Sequence, residues 1–166
     1  SGVFDFRARG IFRNRGQSPM VGDRVQVKNG VIDQLLPRKN NLIRPPLANL
    51  DQLLFVVSMY KPAPNLLLLD KFIAIAEYKQ ITPILVVTKA DLEDPAPLVE
   101  IYQKAGIPVY VVEYAIPRTV DAVAACLRGK VSAFTGNSGA GKSTLLNAID
   151  ASLQLETGSI SEKLGR

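Results

Sequence analysis

Residues 131–144 read Val131-Ser132-Ala133-Phe134-Thr135-Gly136-Asn137-Ser138-Gly139-Ala140-Gly141-Lys142-Ser143-Thr144, a short apolar run followed by a glycine-rich loop. The loop matches the phosphate-binding pattern G-x-x-x-x-G-K-[S/T], which lies between a strand and a helix. Its glycines let backbone N–H groups curl around a phosphate, and the helix that follows adds the positive end of its dipole. We expect Lys142 to contact the β- and γ-phosphates of a nucleotide and the Ser143 hydroxyl to bind Mg²⁺. The predicted nucleotide-contacting residues of this loop are Gly136, Asn137, Ser138, Gly139, Ala140, Gly141, Lys142, Ser143 and Thr144.

Three similar apolar runs precede this strand, at residues 52–58, 84–88 and 109–113. They are continuous rather than alternating, which is typical of parallel strands covered on both faces. Helical stretches separate the runs, so strand and helix alternate four times, and the sequence predicts an α/β fold with a parallel sheet. The predicted helices are residues 66–79, 94–106, 119–128 and one that begins near Lys142.

The first 45 residues follow a different pattern. Short alternating runs recur there, and Asn29-Gly30 between two of them is a strong signal for a hairpin. We therefore predict a small antiparallel barrel or sandwich over residues 1–45. Pro45-Pro46 marks the predicted boundary with an α/β domain over residues 46–166.

The net charge of +5 is unevenly spread along the chain. Residues 1–45 carry nine basic and three acidic residues, whereas residues 46–166 carry eleven basic and twelve acidic ones. Basic residues interleaved with Phe4, Phe6 and Phe12 favour binding of a polyanion, with RNA or DNA as first candidates, because aromatic rings can stack on bases. The nine basic residues are Arg7, Arg9, Arg13, Arg15, Arg24, Lys28, Arg38, Lys39 and Arg44.

Two residue counts exclude classes of chemistry within this chain. There is no His, which excludes an imidazole base or a His metal ligand, and a single Cys, Cys126, excludes a disulfide framework or a Cys-cluster zinc site. Cys126 is interpreted as a small core residue. The apolar runs are too short to span a membrane and the first residues do not resemble a signal peptide, so we expect a cytoplasmic protein.

The sequence Thr88-Lys89-Ala90-Asp91 follows the second apolar run and resembles the Asn-Lys-x-Asp motif with which GTPases recognise guanine. A carboxylate at Asp91 can accept hydrogen bonds from both the ring N–H and the exocyclic amine of guanine. Adenine lacks the amine and presents an acceptor instead, so it would leave the carboxylate unpaired. The aliphatic stem of Lys89 would lie over the base. Because nucleotides bind at the carboxyl ends of parallel strands, the position of the motif supports this interpretation.

The motifs occur in an unusual order, with the base motif before the P-loop. Together with the basic N-terminal part, the run Asn41-Leu42-Ile43-Arg44-Pro45-Pro46 and residues 160–166 (Ile-Ser-Glu-Lys-Leu-Gly-Arg), this order resembles the circularly permuted bacterial GTPases that mature the small ribosomal subunit, the ribosome small subunit-dependent GTPase A family. The resemblance implies an OB-fold barrel over residues 1–45 and a circularly permuted GTPase domain over 46–166. It also implies binding of GTP, GDP and Mg²⁺, and a Zn²⁺-binding C-terminal domain outside this chain.

The resemblance further implies that the protein binds the small ribosomal subunit through rRNA, assists its late maturation, and hydrolyses GTP faster when the subunit is bound. We expect a monomer without membrane contact. No catalytic residue is assigned, because the sequence contains no Asp-x-x-Gly motif and no water-activating residue can be named. The chain is therefore expected to end inside the first switch of a longer protein.

Two departures from the family pattern concern the base. Thr88 replaces the usual Asn, and we expect its hydroxyl still to brace the loop with modest weakening only. A third base-contacting motif would fall at Glu113-Tyr114-Ala115, and it is not carried over.

Two other functions stay open from the residues. One is a P-loop ATPase in which Thr88-Lys89-Ala90-Asp91 is coincidental, although that leaves the basic N-terminal part without a role. The other is a non-catalytic RNA-binding protein whose nucleotide site only holds the domain together.

Overall fold

The computed structural model describes residues 2–8, 10, 12 and 18–157, and it divides into two compact units, Ser1–Leu50 and Asp51–Arg166. Three of the basic residues singled out above, Arg9, Arg13 and Arg15, lie outside the described residues, as do residues 160–166.

The described residues of the N-terminal unit include five short strands: β1 (Arg7–Ala8), β2 (Val25–Lys28), β3 (Val31–Leu35), β4 (Asn41–Leu42) and β5 (Leu47–Ala48). In the described residues they form a three-stranded sheet in the order β1-β3-β2 and a two-stranded sheet of β4 and β5. The Asn29-Gly30 hairpin is confirmed: β2 and β3 are antiparallel, and both turn residues have positive φ, 51° and 74°. Within the predicted alternating run at residues 9–13, Phe12 has helical rather than extended backbone, and its side chain is buried.

Buried polar groups hold the turns of this unit. The Arg38 guanidinium binds the Asp23 carboxylate through Nε, at 2.6 Å, and through Nη2, at 2.7 Å. The carboxylate also accepts from the Met20 N–H at 2.7 Å. Farther along, the Asn40 side chain pairs in both directions with the backbone of Leu50. These polar side chains thereby form hydrogen bonds with backbone groups that the short strands leave unpaired.

The C-terminal unit contains four strands within residues 51–157: β6 (Gln52–Ser58), β7 (Thr82–Thr88), β8 (Val109–Val111) and β9 (Ser132–Thr135). All four are parallel, in the sheet order β8-β7-β6-β9. The predicted α/β fold with a parallel sheet is confirmed. Because β7 and β8 lie on one side of β6 and β9 on the other, the strand order reverses between β6 and β9, where α/β sheets bind ligands beyond their carboxyl ends.

Among the described residues, three helices connect these strands, α1 (Leu66–Tyr78), α2 (Ala96–Lys104) and α3 (Pro117–Leu127), and a fourth, α4 (Lys142–Ile149), follows β9. Asn65 caps α1, since its side chain accepts from the Leu68 N–H at 3.1 Å. Helix α3 begins two residues earlier than predicted because Pro117, with its fixed φ, occupies the first turn.

The core lies between the sheet and its helices. Leu54, Val56 and Val86 of the central strands pack with Val123 of α3 and Leu145 of α4, all of them buried. Cys126 packs at the edge of the same cluster, in agreement with its interpretation as a core residue. No helix among the described residues is long and apolar enough to cross a membrane.

Candidate nucleotide-binding site

The P-loop lies where β9 ends and α4 begins, as the sequence predicted. Gly136 has φ of 147°, and a Cβ at that position would lie 2.2 Å from the Val56 carbonyl oxygen, so only glycine lets the loop leave the sheet there. Gly141 has φ of 90° and is the N-cap of α4. The first helical N–H groups have no acceptor within α4, so they are available to an anion.

Lys142 turns back onto its own loop. Its Nζ donates to the carbonyl oxygens of Gly136 and Asn137, at 2.8 Å each. Burial lowers the pKa of the Lys142 ammonium. A partly desolvated cation at the N-terminus of α4 is well placed to bind phosphate.

The base motif lies beside this loop. Strand β7 ends at Thr88, which is buried, and its hydroxyl donates to the Ala140 carbonyl at 2.8 Å. A second carbonyl, that of Val57, lies 3.3 Å from the same oxygen. Thr88 therefore joins the base motif directly to the P-loop, across 52 residues of sequence.

The remaining residues of the motif extend outward from the sheet. Lys89 has positive φ, 56°, and its Nζ donates to the carbonyls of Tyr60 and Lys61 at 2.9 and 2.7 Å. Ala90 is half-buried, and the Asp91 side chain is exposed. The carbonyl partners of Lys89 were not found from the sequence, because no local pattern indicates which backbone oxygens a distant lysine will reach.

The P-loop residues differ in exposure. Ala140 is buried, whereas Gly139, Gly141, Lys142 and Ser143 are half-buried. Exposed positions of the loop are Gly136, Asn137, Ser138 and Thr144. The motif thus presents its first residues to solvent and anchors its middle through Ala140.

The loop after β8 is fixed by Thr119. The Thr119 hydroxyl oxygen accepts from the Glu113 N–H at 3.1 Å and lies 3.0 Å from the Glu113 carbonyl and 2.8 Å from that of Ile116. Tyr114 is partly exposed, and burial raises the pKa of its hydroxyl. This loop follows the strand next to β7, but no contact joins it to Asp91 among those observed.

An apolar cleft of about 270 Å³ opens on the α1 side of the P-loop. Its walls include Val57, Pro62, Leu68 and Phe72 together with Gly136. None of the residues from Thr88 to Asp91 lines it, so this cleft adjoins the phosphate loop without being the base site.

The N-terminal unit offers a separate surface suited to nucleic acid. Phe4 and Phe6 are exposed, and their ring centroids are 6.1 Å apart. Phe12 is buried, so it cannot stack on a base as the sequence had indicated. Among the described basic residues, Arg7, Arg24, Lys28, Lys39 and Arg44 are exposed, whereas Arg38 forms the ion pair with Asp23.

The described residues contain no group of three or more His, Cys, Asp or Glu side chains that could hold a metal ion by themselves. A magnesium ion at Ser143 would therefore take its other ligands from a nucleotide and water, as this small cation does at phosphate sites. The half-buried Ser143 in the first turn of α4 fits that arrangement.

Comparison with known proteins gives a consistent result. Residues 35–166 match the family model for the RsgA GTPase, and residues 1–33 match that for the RsgA N-terminal domain. A small ribosomal subunit biogenesis GTPase RsgA from Caldanaerobacter subterraneus subsp. tengcongensis is 40% identical over 173 residues, covering 99% of this chain and 59% of the relative. Another of that name, from Alkaliphilus metalliredigens, is 42% identical over 174 residues, covering 99% and 60%.

Two solved structures share the fold. YjeQ from Thermotoga maritima superposes with a TM-score of 0.74 at 34% identity, covering 91% of this chain and 58% of that one. YloQ, described as a circularly permuted GTPase, gives 0.68 at 37% identity, covering 88% and 55%. This chain spans about three fifths of the length of those curated relatives. The chain belongs to the RsgA GTPase family.

Proposed function

We propose that this member of the RsgA GTPase family binds GTP and GDP with Mg²⁺, hydrolyses GTP, and assists late maturation of the small ribosomal subunit. The observation that carries the nucleotide part is the hydrogen bond of 2.8 Å from Thr88 to Ala140. It brings a guanine-type motif and a phosphate-binding loop to the same edge of one sheet. A P-loop alone would suit any nucleoside triphosphate, so the base motif at its side selects guanine.

Different residues bind the base, the phosphates and the magnesium ion. Asp91 accepts from the ring N–H and the exocyclic amine of guanine, and the stem of Lys89 covers the ring. Residues 136–144 surround the phosphates with backbone N–H groups, and Lys142 contributes a cation. Ser143 holds the magnesium ion that accompanies the nucleotide and neutralises its phosphates.

Competition among nucleotides tests this assignment. Purified protein loaded with a fluorescent GDP analogue is titrated with GTP, GDP and ATP. GTP and GDP should displace the analogue at concentrations at least about a hundredfold lower than ATP, because a site built for one hydrogen-bonding pattern rejects a base lacking it. Equal displacement by ATP would favour a P-loop ATPase in which Thr88-Lys89-Ala90-Asp91 has no role.

The N-terminal unit supports a role on rRNA. The N-terminal unit exposes Phe4 and Phe6 together with the basic side chains of Arg7, Arg24 and Lys28. Stacking platforms within a basic surface are typical of OB-type domains that bind unpaired bases. We place rRNA of the small subunit on this surface.

Binding to isolated small subunits tests the rRNA part. Phe4→Ala with Phe6→Ala should weaken binding by about tenfold or more, since stacking contributes roughly 1–3 kcal/mol per base. A control, Arg44→Gln, removes one exposed charge that is not among the residues named above, and it should have a small effect on binding. Binding should also weaken as salt rises, because phosphate contacts release counterions. Binding that ignores both salt and the double substitution would contradict the assignment.

We also propose how fast the protein hydrolyses GTP and where it acts. GTP hydrolysis is slow in the isolated protein and is stimulated by the subunit, and the protein acts as a monomer in the cytoplasm without membrane contact. Zinc belongs to a further domain of the family and not to the residues of this chain. Single-turnover hydrolysis with and without subunits separates this function from a nucleotide site that is only structural.

A further inference from the structure

We infer that Ser58 is a positioning residue for the base site, acting through the Tyr60 carbonyl on the ammonium of Lys89. This inference rests on the proposed binding of guanine nucleotide. It assigns a role to the segment between β6 and α1, which neither nucleotide motif includes.

The first link is a buried hydroxyl at the end of β6. Ser58 is 2% exposed, and its Oγ donates to the Tyr60 carbonyl at 2.6 Å. The same oxygen accepts from the Tyr60 N–H at 3.3 Å. One side chain therefore fixes both backbone polar groups of Tyr60, which sets the direction in which its carbonyl points.

The second link is the cation held by that carbonyl. Lys89 Nζ donates to the Tyr60 oxygen at 2.9 Å and to the Lys61 oxygen at 2.7 Å. Lysine has a flexible four-carbon stem, and pinning its tip at two fixed acceptors removes most of that freedom before any ligand arrives. The segment thus holds the tip of Lys89 and thereby orients the stem that is proposed to cover the guanine ring.

The third link is the backbone at the end of β7. The Met59 N–H donates to the Thr88 carbonyl at 3.0 Å, so the segment is tied to the base motif on its other side as well. Lys89 itself has positive φ, which a non-glycine residue adopts only when its surroundings hold it there. Contacts on both sides of Lys89 supply that support.

The direction in which GDP affinity changes distinguishes two roles for the carbonyls of Tyr60 and Lys61. If the carbonyls of Tyr60 and Lys61 competed with the nucleotide for the ammonium, loosening the segment would tighten binding. If they orient Lys89, loosening the segment weakens binding. We infer orientation, because the carbonyls hold only the tip of the side chain and leave its stem available to a base.

A double-mutant cycle tests the inference. GDP affinity is measured by calorimetry for the wild type, Ser58→Ala, Lys89→Met and the double variant. Lys89→Met keeps an unbranched apolar stem and removes the ammonium. Ser58→Ala should weaken GDP binding by about three- to tenfold, which corresponds to one hydrogen bond. In the Lys89→Met background the same change should have almost no effect, because the link through which Ser58 acts is gone.

A matched control is Ser132→Ala. Ser132 lies at the opposite end of the sheet, where its Oγ accepts from Gln52 Nε2 at 2.9 Å. This variant should lower the free energy of unfolding and leave GDP affinity unchanged. Urea unfolding of every variant separates loss of fold from loss of the contact. Should Ser58→Ala prove unfolded, Ser58→Cys, which retains the volume and a weak donor, should show affinity between wild type and Lys89→Met.

The outcomes separate the inference from the function on which it rests. Wild-type protein that fails to bind GDP would remove the proposed function itself. Wild-type binding with equal losses from Ser58→Ala in both backgrounds, or tighter binding by Ser58→Ala, would overturn the positioning role and leave the GTPase assignment intact. Unchanged GDP affinity in a folded Ser58→Ala variant would overturn it equally.

Discussion

The hydroxyl of Thr88 donates to the carbonyl of Ala140 at 2.8 Å, and this bond joins the end of β7 to the middle of the P-loop. Thr88 is 1% exposed and Ala140 is also buried, so water cannot replace either partner. A bond between the base motif and the phosphate loop makes the two halves of the site a single unit. Thr88 stands where such a motif has Asn, and its hydroxyl supplies the donor of this bond.

Removing that hydroxyl should damage both stability and binding. Thr88→Val keeps the side-chain shape but leaves the Ala140 carbonyl without its donor, and we expect the free energy of unfolding to fall by about 1–3 kcal/mol. GDP affinity should fall by about tenfold. Urea denaturation and calorimetry measure the two effects.

Two control variants show whether the losses come from the Thr88 hydroxyl itself. Thr88→Ser restores the donor and should recover most of the GDP affinity. Thr82→Val changes an exposed threonine at the start of the same strand and should alter neither quantity. If Thr88→Val binds GDP like the wild type, the bond does not couple the two motifs.

Asp91→Asn should change which base the protein binds. The amide presents one donor and one acceptor where the carboxylate presented two acceptors, so guanine loses a partner and xanthine, with a carbonyl in place of the amine, gains one. We expect GDP affinity to fall by about a hundredfold or more and affinity for xanthosine diphosphate to rise. Competition against a fluorescent GDP analogue measures both, and a variant that keeps its preference for GDP would place guanine recognition elsewhere.

Lys142→Ala and Ser143→Ala should have separable effects at the phosphates. Loss of the Lys142 ammonium should weaken binding of both GTP and GDP by about tenfold or more, because charge-assisted hydrogen bonds to phosphate are lost. Loss of the Ser143 hydroxyl should mainly reduce the dependence of binding on Mg²⁺. Titrations with Mg²⁺ and with EDTA distinguish the two, and unaltered affinity in both variants would make the P-loop a structural turn.

Much of the C-terminal unit could be predicted because its signals are local. The Asn65 cap, Pro at the start of helices and the glycine-rich loop after β9 each act within a few residues. Strand β7 begins two residues earlier than predicted, because pairing of Thr82 with Gln52 extends the ladder beyond the apolar run. The partners of Lys89 and Thr88 depend on how distant strands align, and no local pattern carries that information.

In the N-terminal unit, the sequence did not indicate which basic and aromatic side chains are exposed. The excess of basic residues is evident from the sequence, but Arg38 binds Asp23 and Phe12 is buried, so neither is free to bind RNA. From the sequence alone, Arg38 and Phe12 cannot be distinguished from the basic and aromatic residues that are exposed. Which member of a basic or aromatic cluster faces solvent is decided by packing, and packing is set by residues far along the chain.

The Asp23–Arg38 pair should make the stability of the protein depend on acid pH. Hydrogen bonding to Arg38 lowers the pKa of the Asp23 carboxyl below its ordinary value of 3.8. The folded state therefore binds this proton less tightly than the unfolded state, so the contribution is present above the unfolded pKa and is lost as pH falls through the folded one. Unfolding by urea at neutral pH and between pH 4 and about 2 should show this loss.

Asp23→Asn provides the comparison. It should cost about 2 kcal/mol at neutral pH, since hydrogen bonds to a charged group are replaced by weaker ones, and it should flatten the acid dependence. A wild type and variant with parallel pH profiles would show that other carboxylates determine acid stability.

GTP turnover by this chain should be far slower than its nucleotide binding suggests. The chain carries groups for the base in Asp91 and for the phosphates in Lys142 and Ser143, whereas it contains no His and no Asp-x-x-Gly motif. Phosphoryl transfer depends on positioning the attacking water and neutralising charge on the transferred group, and groups that do so raise rates by roughly 10³–10⁵. We therefore expect the chain to bind GTP and, without subunits, to hydrolyse it only slowly in a single-turnover assay. A longer protein of the same family should be slow alone and markedly faster with small ribosomal subunits. Rapid turnover by the 166-residue chain would show that its own residues activate the water, and a longer protein indifferent to subunits would remove the ribosome from the proposed function.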